Sequence, residues 1–512
     1  MTSPLRSRVA ALAAAGAVLL TGACSVANTD GAAASDTVRI VLPEEPPTLE
    51  PCDASLSPTG RVTRANITEA LTERVPSTGA LEPSLATEWS QTSPTTWRFT
   101  LRSGVTFHDG TPFTAAAAKF SIDRAVSSDI GCHVDGYVFD DSTLTTAAVD
   151  DSTVEVSTAE PDPILPLRLS FVEIVPTTTS ATAKVREPIG TGPYRIEAWN
   201  QGVSLRLARF DKYWGKAPDY AAAEYVWRAE GSIRAAMVGS GEADVATGLA
   251  PADGAGDRGV TFPNNETSYL RMDAGKAPLN DIRVRRAINY AIDRDGLVAS
   301  VFAGLGEPAA QLVPAGVTGH NPDLKPVPFD MERAKALIAE AGAAGVPVDT
   351  PITIIGRNGI YPKAAEAMEV VQQSLTQAGL KVEIKMLDVN AWIEYLLGPV
   401  PADVGPVLLQ AQHGNQAGDA AFTMASNYGS KGQQSSYGTP ELDAMIAAAE
   451  QASGADRQSK FASALAFQND QIMRDAVLAH MKGIIALAPN VKYEPNAATY
   501  DEMRLSEMHP AG

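Results

Sequence analysis

The amino-acid sequence predicts an α/β protein of two or three domains built on mixed, largely parallel sheets. Three observations carry that prediction. Stretches with two-residue apolar alternation are separated by stretches of helical period, the pattern of βαβ units. The chain has 512 residues, roughly three times a domain of about 150. Its residues are 45% hydrophobic, 20% charged and 6% aromatic. That balance sustains a packed core and excludes wholesale disorder, a collagen-like repeat and a polytopic membrane protein.

Charge and cysteine content remove further classes. Sixty acidic residues stand against 41 basic ones, for a net charge of −19. Nucleic-acid binding rests on basic stripes that neutralise phosphates, so no nucleic-acid partner is expected. Three cysteines are too few for a disulfide-scaffolded mini-domain.

Residues 1–23 read as a signal peptide outside the fold. Arg6 and Arg8 make a positive start, followed by an apolar run over 9–20. That run is too short to span about 30 Å of hydrocarbon as a helix. The small residues Thr21, Gly22 and Ala23 precede Cys24. The motif resembles a bacterial lipobox with Thr21 in the place of the usual leucine, which implies a lipid on Cys24. A plain secretory signal is the alternative. The rest of 24–35 is small and polar, as a flexible lipid-anchored tether would be. Removing 1–23 takes away two arginines and no acid, moving the charge from −19 to −21. A body so charged stays soluble beside anionic lipid without adhering to it. With Cys24 lipidated, Cys52 and Cys132 remain, and two thiols in an oxidising compartment are expected to pair.

The elements follow in order. Residues 37–42 alternate as a strand, stopped by the proline-rich segment 43–51, which lacks ladder donors. Residues 67–74 read as a helix. Residues 96–102 alternate as a strand up to Ser103-Gly104, and Thr114 is placed to cap a helix to about Ala125. Residues 149–157 read as a strand with a polar Asp150-Asp151 turn at its start. Residues 193–199 and 203–209 form a hairpin around Asn200-Gln201-Gly202. A second block begins near Asp273. There 281–301 reads as one amphipathic helix with Val284, Ala287, Ile288, Ala291 and Ile292 on one face. Helices 331–342 and 364–378 alternate with strands 352–355 and 381–386, and helices 441–451 and 456–474 close the chain. No internal repeat is present.

Four segments lie in register along this chain. Leu85-Ala86-Thr87-Glu88-Trp89 is followed by 97–110, which ends Val105-Thr106-Phe107-His108-Asp109-Gly110. Gly190-Thr191-Gly192-Pro193-Tyr194 precedes Asp211-Lys212-Tyr213-Trp214-Gly215. The third segment is Asp281-Ile282-Arg283-Val284-Arg285-Arg286-Ala287-Ile288-Asn289-Tyr290-Ala291-Ile292-Asp293-Arg294. The fourth is Phe329-Asp330-Met331-Glu332-Arg333-Ala334-Lys335, running into Glu340-Ala341-Gly342. Together they resemble the extracytoplasmic solute-binding proteins of ABC importers, in the oligopeptide, dipeptide and nickel-binding branch (family 5). The resemblance implies a two-lobed, periplasmic-binding-protein-like fold with a cleft between the lobes. Lobe I would comprise 36–55, 176–272 and 486–512, the inserted domain 56–175, and lobe II 273–485.

The resemblance also points to site residues. Peptide-binding relatives hold the ligand's α-amine with an aspartate in an Asp-Tyr-x-Asp-Pro run of lobe II. That run is missing from 409–422. Asp419 is the nearest carboxylate, and either binds a ligand cation or caps a helix at Ala420. Asn415 stands roughly where the amine partner would be. Arg357 follows a lobe II strand, in the loop that carries Tyr361. Ligands of α/β sheets bind at carboxyl ends of strands, and a guanidinium suits a carboxylate. A surface ion pair is the alternative for Arg357. Trp392 and Tyr395, three apart on a predicted helix, either wall the pocket or pack the core. His413 is a candidate for a metal chelate, as in nickel-binding relatives. The segment 53–64 contributes either backbone contacts or Arg61 and Arg64 as anion partners.

Catalytic signatures are absent from the sequence. It has no Gly-x-Ser-x-Gly, His-Glu-x-x-His or Cys-x-x-Cys, and its six histidines include no i,i+4 pair. No enzyme activity, cofactor or dedicated metal site is therefore expected. His108-Asp109 reads as part of a turn, and Gly190-Thr191-Gly192-Pro193 as a structural turn rather than a phosphate cradle. The 281–294 charges read as solvated ion pairs and packing. The expected protein is a monomeric, lipid-anchored receptor on the outer face of the cytoplasmic membrane. It would capture a small peptide or amino-acid-derived solute and deliver it to ABC permease subunits. Alternatives are a nickel or metal-chelate receptor, a surface sensor or peptide chaperone without transport, and, from another class, an extracellular hydrolase.

Overall fold

A computed structural model describes residues 36–139, 143–397, 400–401, 404–499 and 502–511. The expected signal, tether and Cys24 lie outside the described residues. We number the strands of the two larger sheets. The first nine are β1 Thr37–Leu42, β2 Ala86–Ser93, β3 Thr96–Leu101, β4 Leu144–Asp150, β5 Thr153–Thr158, β6 Tyr194–Asn200, β7 Ser204–Arg209, β8 Ala222–Trp227 and β9 Val245–Leu249. The rest are β10 Gly259–Met272, β11 Gly306–Pro308, β12 Ile352–Arg357, β13 Val382–Leu387, β14 Val407–Gly414 and β15 Asp475–Leu487. The principal helices are α1 Ser57–Thr63, α2 Ala115–Val126, α3 Ile282–Ala291, α4 Met331–Ala343, α5 Ala364–Ala378, α6 Val389–Leu396, α7 Pro440–Glu450 and α8 Gly454–Phe467.

One mixed sheet runs in the order β13-β12-β14-β10-β15-β9-β1-β8-β7-β6, with β11 paired to β15 off this path. It holds two parallel groups. β1 is parallel to β8 and β9, and β12 is parallel to β13 and β14. Between the groups, β10 and β15 pair antiparallel from Gly259 opposite Ala486 to Arg271 opposite Asp475. Their register shifts between Pro263 and Thr267, where Asn265 takes a left-handed φ of 61°, a region asparagine tolerates better than most residues. Asn265 Nδ2 donates to the carbonyls of Asn415 and Ala498, so the irregular stretch is held from both sides.

A separate antiparallel sheet, β2-β3-β5-β4, packs Phe99, Leu101, Val154 and Val156 with Ala118 and Ile122 of α2. Alternation in β3 and β5 places these side chains on one face. Cys52 and Cys132 are disulfide-bonded in the same core, with Cα atoms 5.2 Å apart. On the other parallel group, Val284 and Ile288 of α3, Leu337 of α4 and Val371 of α5 pack with Ile352 and Ile354 of β12.

Four local expectations change. Residues 67–74 are not a helix. The carbonyls of Asn66 and Ile67 accept from the amides of Tyr194 and Gly192, and a strand covers only Thr72–Arg74. This approach requires glycine, because a Cβ on Gly190 or Gly192 would sit 2.0 or 2.5 Å from those carbonyl oxygens. Residues 281–301 form two helices, since Asp293 caps a second one, Arg294–Ser300, by accepting from the Gly296 amide at 2.9 Å. Of the 281–294 charges, read as ion pairs and packing, Arg285 and Arg294 are packed in the interior. Arg294 donates to Asn289 O, Asn289 Oδ1 and Val477 O, and burial lowers its pKa to about 10. Residues 149–157 divide into β4 and β5 at the Asp150-Asp151 turn. The helix expected over 456–474 gives way after Phe467 to a π-turn, then to β15.

Candidate ligand-binding site

Strands β1, β8 and β9 run parallel, so their carboxyl ends open on one edge of the sheet. There, β9 and the crossing strands β10 and β15 meet α1 and the C-terminal segment around a cavity of about 30 Å3. Its walls include Arg61, Thr247, Phe262, Ile484, Asn496 and Glu502. The β9 edge is held from behind. Arg234 donates to the carbonyls of Thr247 at 3.0 Å and Gly248 at 2.6 Å. Gly248 has φ +66°, and a Cβ there would meet Pro43 Cγ at 2.8 Å, so this turn needs glycine.

The polar groups of the cavity differ in how they are satisfied. Asn496 Oδ1 accepts from the amides of Ala498 and Thr499, both at 3.0 Å. That fixes the side-chain amide's orientation and leaves Nδ2 buried with no protein partner. Thr247 Oγ1 is likewise buried without a partner. Glu502 is paired with Arg504, and Arg64 lies 3.8 Å away. Those two cations outweigh burial and hold its carboxyl below the usual range. Nearby, Glu266 of β10 accepts from Gln412 Nε2 of β14. Burial raises the Glu266 carboxyl to about 7, against the opposing charge of Arg61.

A second polar cluster lies at the carboxyl ends of β12 and β14. Gln410 and Gln412 share a face of β14, so this cluster continues from Glu266 and Gln412. Gln410 Oε1 accepts from the Arg357 amide at 3.0 Å, and its Nε2 donates to Tyr361 Oη at 2.8 Å and Ala364 O at 3.0 Å. Trp392 Nε1 donates to Gln410 O at 2.9 Å. The Arg357 guanidinium sits 5.4 Å from the Trp392 ring centroid, and its Nε is buried without a partner. Arg357, Tyr361 and Trp392 therefore come together around one glutamine. Trp392 is itself nearly enclosed, with 4% of its surface exposed, so its indole also serves the core.

The remaining expected ligand residues are already occupied by the protein. The Asp419 side chain is buried against Arg457 at 2.7 Å and caps the short helix Ala420–Thr423. Of its two readings, the cap is the one the structure contains. Asn415 donates to Leu312 O at 2.9 Å and accepts from Thr423 Oγ1 at 3.2 Å. His413 lies between Thr423 Oγ1 at 2.8 Å and Asn427 Nδ2 at 3.4 Å, and burial lowers its pKa to about 4. These bonds use both ring nitrogens, which leaves neither for a metal chelate. Among the described residues, no group of three His, Cys, Asp or Glu side chains is arranged to hold a metal.

Arg61, an expected anion partner, lines this cavity, whereas Thr247, Asn496 and Glu266 were not singled out by the sequence. A Thr-Gly pair closing a strand is a weak signal. Nothing around Asn496 announces that a segment 250 residues downstream in sequence returns to the same cavity.

The chain matches, over residues 80–438, the model for bacterial extracellular solute-binding proteins, family 5. It is 28% identical over 380 residues to the glutathione-binding protein GsiB of Salmonella typhi, covering 69% of this chain and 71% of that protein. The fold is similar to the ABC transporter substrate-binding protein CtaP of Listeria monocytogenes, with TM-score 0.81 and 20% identity over 93% of this chain and 99% of that one. It is also similar to the periplasmic binding protein DppA of Helicobacter pylori in complex with the peptide STSA, with TM-score 0.74 and 20% identity over 93% of this chain and 98% of that one. A match across most of the chain, on a fold with parallel strand ends facing a polar cavity, places this protein in family 5 of the bacterial extracellular solute-binding proteins.

Proposed function

We propose that this ABC-importer binding protein captures a small peptide or amino-acid-derived solute between its two lobes and presents it to a membrane permease. The carrying observation is the polar seam from Arg357 through Gln410, Gln412 and Glu266 to the Arg61 cavity. It joins the carboxyl ends of two separate parallel strand groups, where α/β proteins bind ligands. GsiB carries glutathione in its name and DppA was solved with a peptide, and the seam offers groups for both ends of such a molecule. In this reading lobe I is 36–55, 176–272 and 486–512, lobe II is 273–485, and 56–175 is inserted. Arg357, Tyr361 and Trp392 form the lobe II wall. Capture at about micromolar Kd needs roughly −8 kcal/mol, within reach of a few anchored polar contacts. Differential affinity for the closed form is what drives closure.

The same reading makes the protein a monomeric, non-catalytic receptor tethered through lipid on Cys24. Ser55 Oγ lies 2.7 Å from His133 Nδ1, but among the described residues no carboxylate side chain hydrogen-bonds that ring, so the pair lacks the orienting group of a nucleophilic triad. No described helix is long and apolar enough to cross a membrane. Native mass spectrometry of the protein purified without denaturation, with thermal-shift measurements on di- and tripeptides and glutathione, tests capture. A co-purified solute of this class, or stabilisation by one, is expected. No bound species and no shift with any probe would sink the reading.

A further inference from the structure

We propose that the cavity bounded by Arg61, Thr247 and Asn496 is a subsite for a carboxylate group of the captured solute; this rests on the reading of the protein as a solute receptor. Three features of the cavity select that chemistry.

The first is donor polarity. Asn496 Oδ1 is committed to two backbone amides, so the atom left buried and unpartnered is Nδ2, which only donates. Thr247 Oγ1, also buried and unpartnered, has a proton to give. Arg61 brings a guanidinium to the same wall. An ionised carboxylate is acceptor-only and complements all three. An ammonium group would find the Glu502 carboxylate, which Arg504 already neutralises, and the Thr247 hydroxyl, but it would face the Asn496 donor and the Arg61 guanidinium.

The second is size and lining. About 30 Å3 holds one small group rather than a side chain, since a single water needs about 10–15 Å3. Phe262, Ile484 and Met503 line the remainder, and apolar walls strengthen hydrogen bonds to a charge by excluding water. The third is rigidity. The Arg234 bonds to the Thr247 and Gly248 carbonyls and the doubly capped Asn496 hold both donors in place before a ligand arrives. Pre-organised donors cost little ordering entropy on binding.

The test uses calorimetric titration of tri-alanine and glutathione, each as free acid and as C-terminal amide. The wild type is expected to bind the acid of at least one probe about tenfold or more tighter than its amide, the usual worth of a hydrogen bond to a charged group. Asn496→Asp retains the oxygen that caps Ala498 and Thr499 but turns the cavity-facing donor into an acceptor. It should cut affinity for the acid by about a hundredfold while leaving the amide little changed. Thr247→Val removes only the hydroxyl and should cost the acid about tenfold. An unchanged unfolding midpoint shows that both variants fold. Equal binding of acid and amide by the wild type overturns the subsite alone. So does an acid preference that survives both substitutions, or that is lost only in Arg357→Gln. Failure of every probe to bind the wild type overturns the capture reading for peptides, and the subsite with it.

Discussion

Arg457 closes a two-pronged buried ion pair on Asp419, with Nε 2.8 Å from Oδ2 and Nη2 2.7 Å from Oδ1. The same aspartate accepts from the Ala421 amide at 2.9 Å, while Arg457 Nη1 donates to the carbonyls of Ala449 and Glu450. The loop before Ala420 is thereby fastened to α7 and α8. Asp419, one of the expected site residues, is thereby engaged within the protein.

Asp419→Ala is therefore expected to destabilise the fold without changing solute affinity. Removing one partner of a buried pair leaves the other charged and unpaired, at a cost of about 3–5 kcal/mol. Urea unfolding should show a lower midpoint with an unchanged slope. Solute affinity that collapses at temperatures where the variant remains folded would return Asp419 to the ligand.

These residues show what a sequence discloses and what it hides. The periodic helices α2, α4, α5 and α7 were legible because their apolar spacing is local, as is the Gly379 stop of α5. The strands β10, β14 and β15 were not. Pro263, Asn264 and Asn265 interrupt any alternation in β10, and β15 is so evenly apolar that it reads equally as a helix. Arg357, Tyr361 and Trp392 could be singled out together because each lies beside its own strand end or helix, and the structure gathers them around Gln410. The helix cap was one of the two readings open for Asp419, but its partner Arg457, like the Thr423 partner of His413, is set by tertiary packing and has no local signal. Thr247 and Asn496 are brought to one cavity only by the return of the C-terminal segment to β9.

His413 should make stability depend on pH in a specific direction. Burial, with a smaller contribution from the Arg474 charge, lowers its pKa from 6.5 to about 4. The unfolded chain thus binds the proton more readily across that interval. The histidine's contribution is fully present above about pH 6.5 and is lost as pH falls toward 4. His413→Gln should unfold with a shallower pH dependence over that window, the wild type losing about 1.4 kcal/mol relative to the variant for each unit that the pH falls. Parallel curves for the two proteins between pH 4 and 7 would show that His413 is not held neutral.

The Cys52–Cys132 bond closes a separation of 80 residues within the core beneath α2. Cross-linking a loop of that length removes unfolded-state entropy worth about 2–5 kcal/mol. The paired substitution to serine is expected to lower the unfolding midpoint by an amount consistent with that range, and a reducing agent should do so in the wild type. Identical midpoints with and without reductant would mean that the native protein gains nothing from the bond.

Arg357 provides the converse of Asp419. Arg357 is half-buried with its guanidinium beside the Trp392 ring, and its backbone amide donates to Gln410 Oε1. Arg357→Gln leaves that amide, the Gln410 bonds to Tyr361 and Ala364, and the Trp392 bond to Gln410 intact. The unfolding midpoint should therefore move by no more than about 0.5 kcal/mol, as for substitutions away from a packed network. Solute affinity should fall by about tenfold or more, the worth of one charge-assisted hydrogen bond. Trp392→Phe separates the two roles of the indole, since the phenyl ring retains a stacking face but cannot donate to Gln410 O. It should lower stability by about 1 kcal/mol and disturb affinity less than Arg357→Gln does. If calorimetry instead finds Arg357→Gln binding like the wild type while Trp392→Phe abolishes binding, the lobe II wall is apolar and Arg357 belongs to the surface.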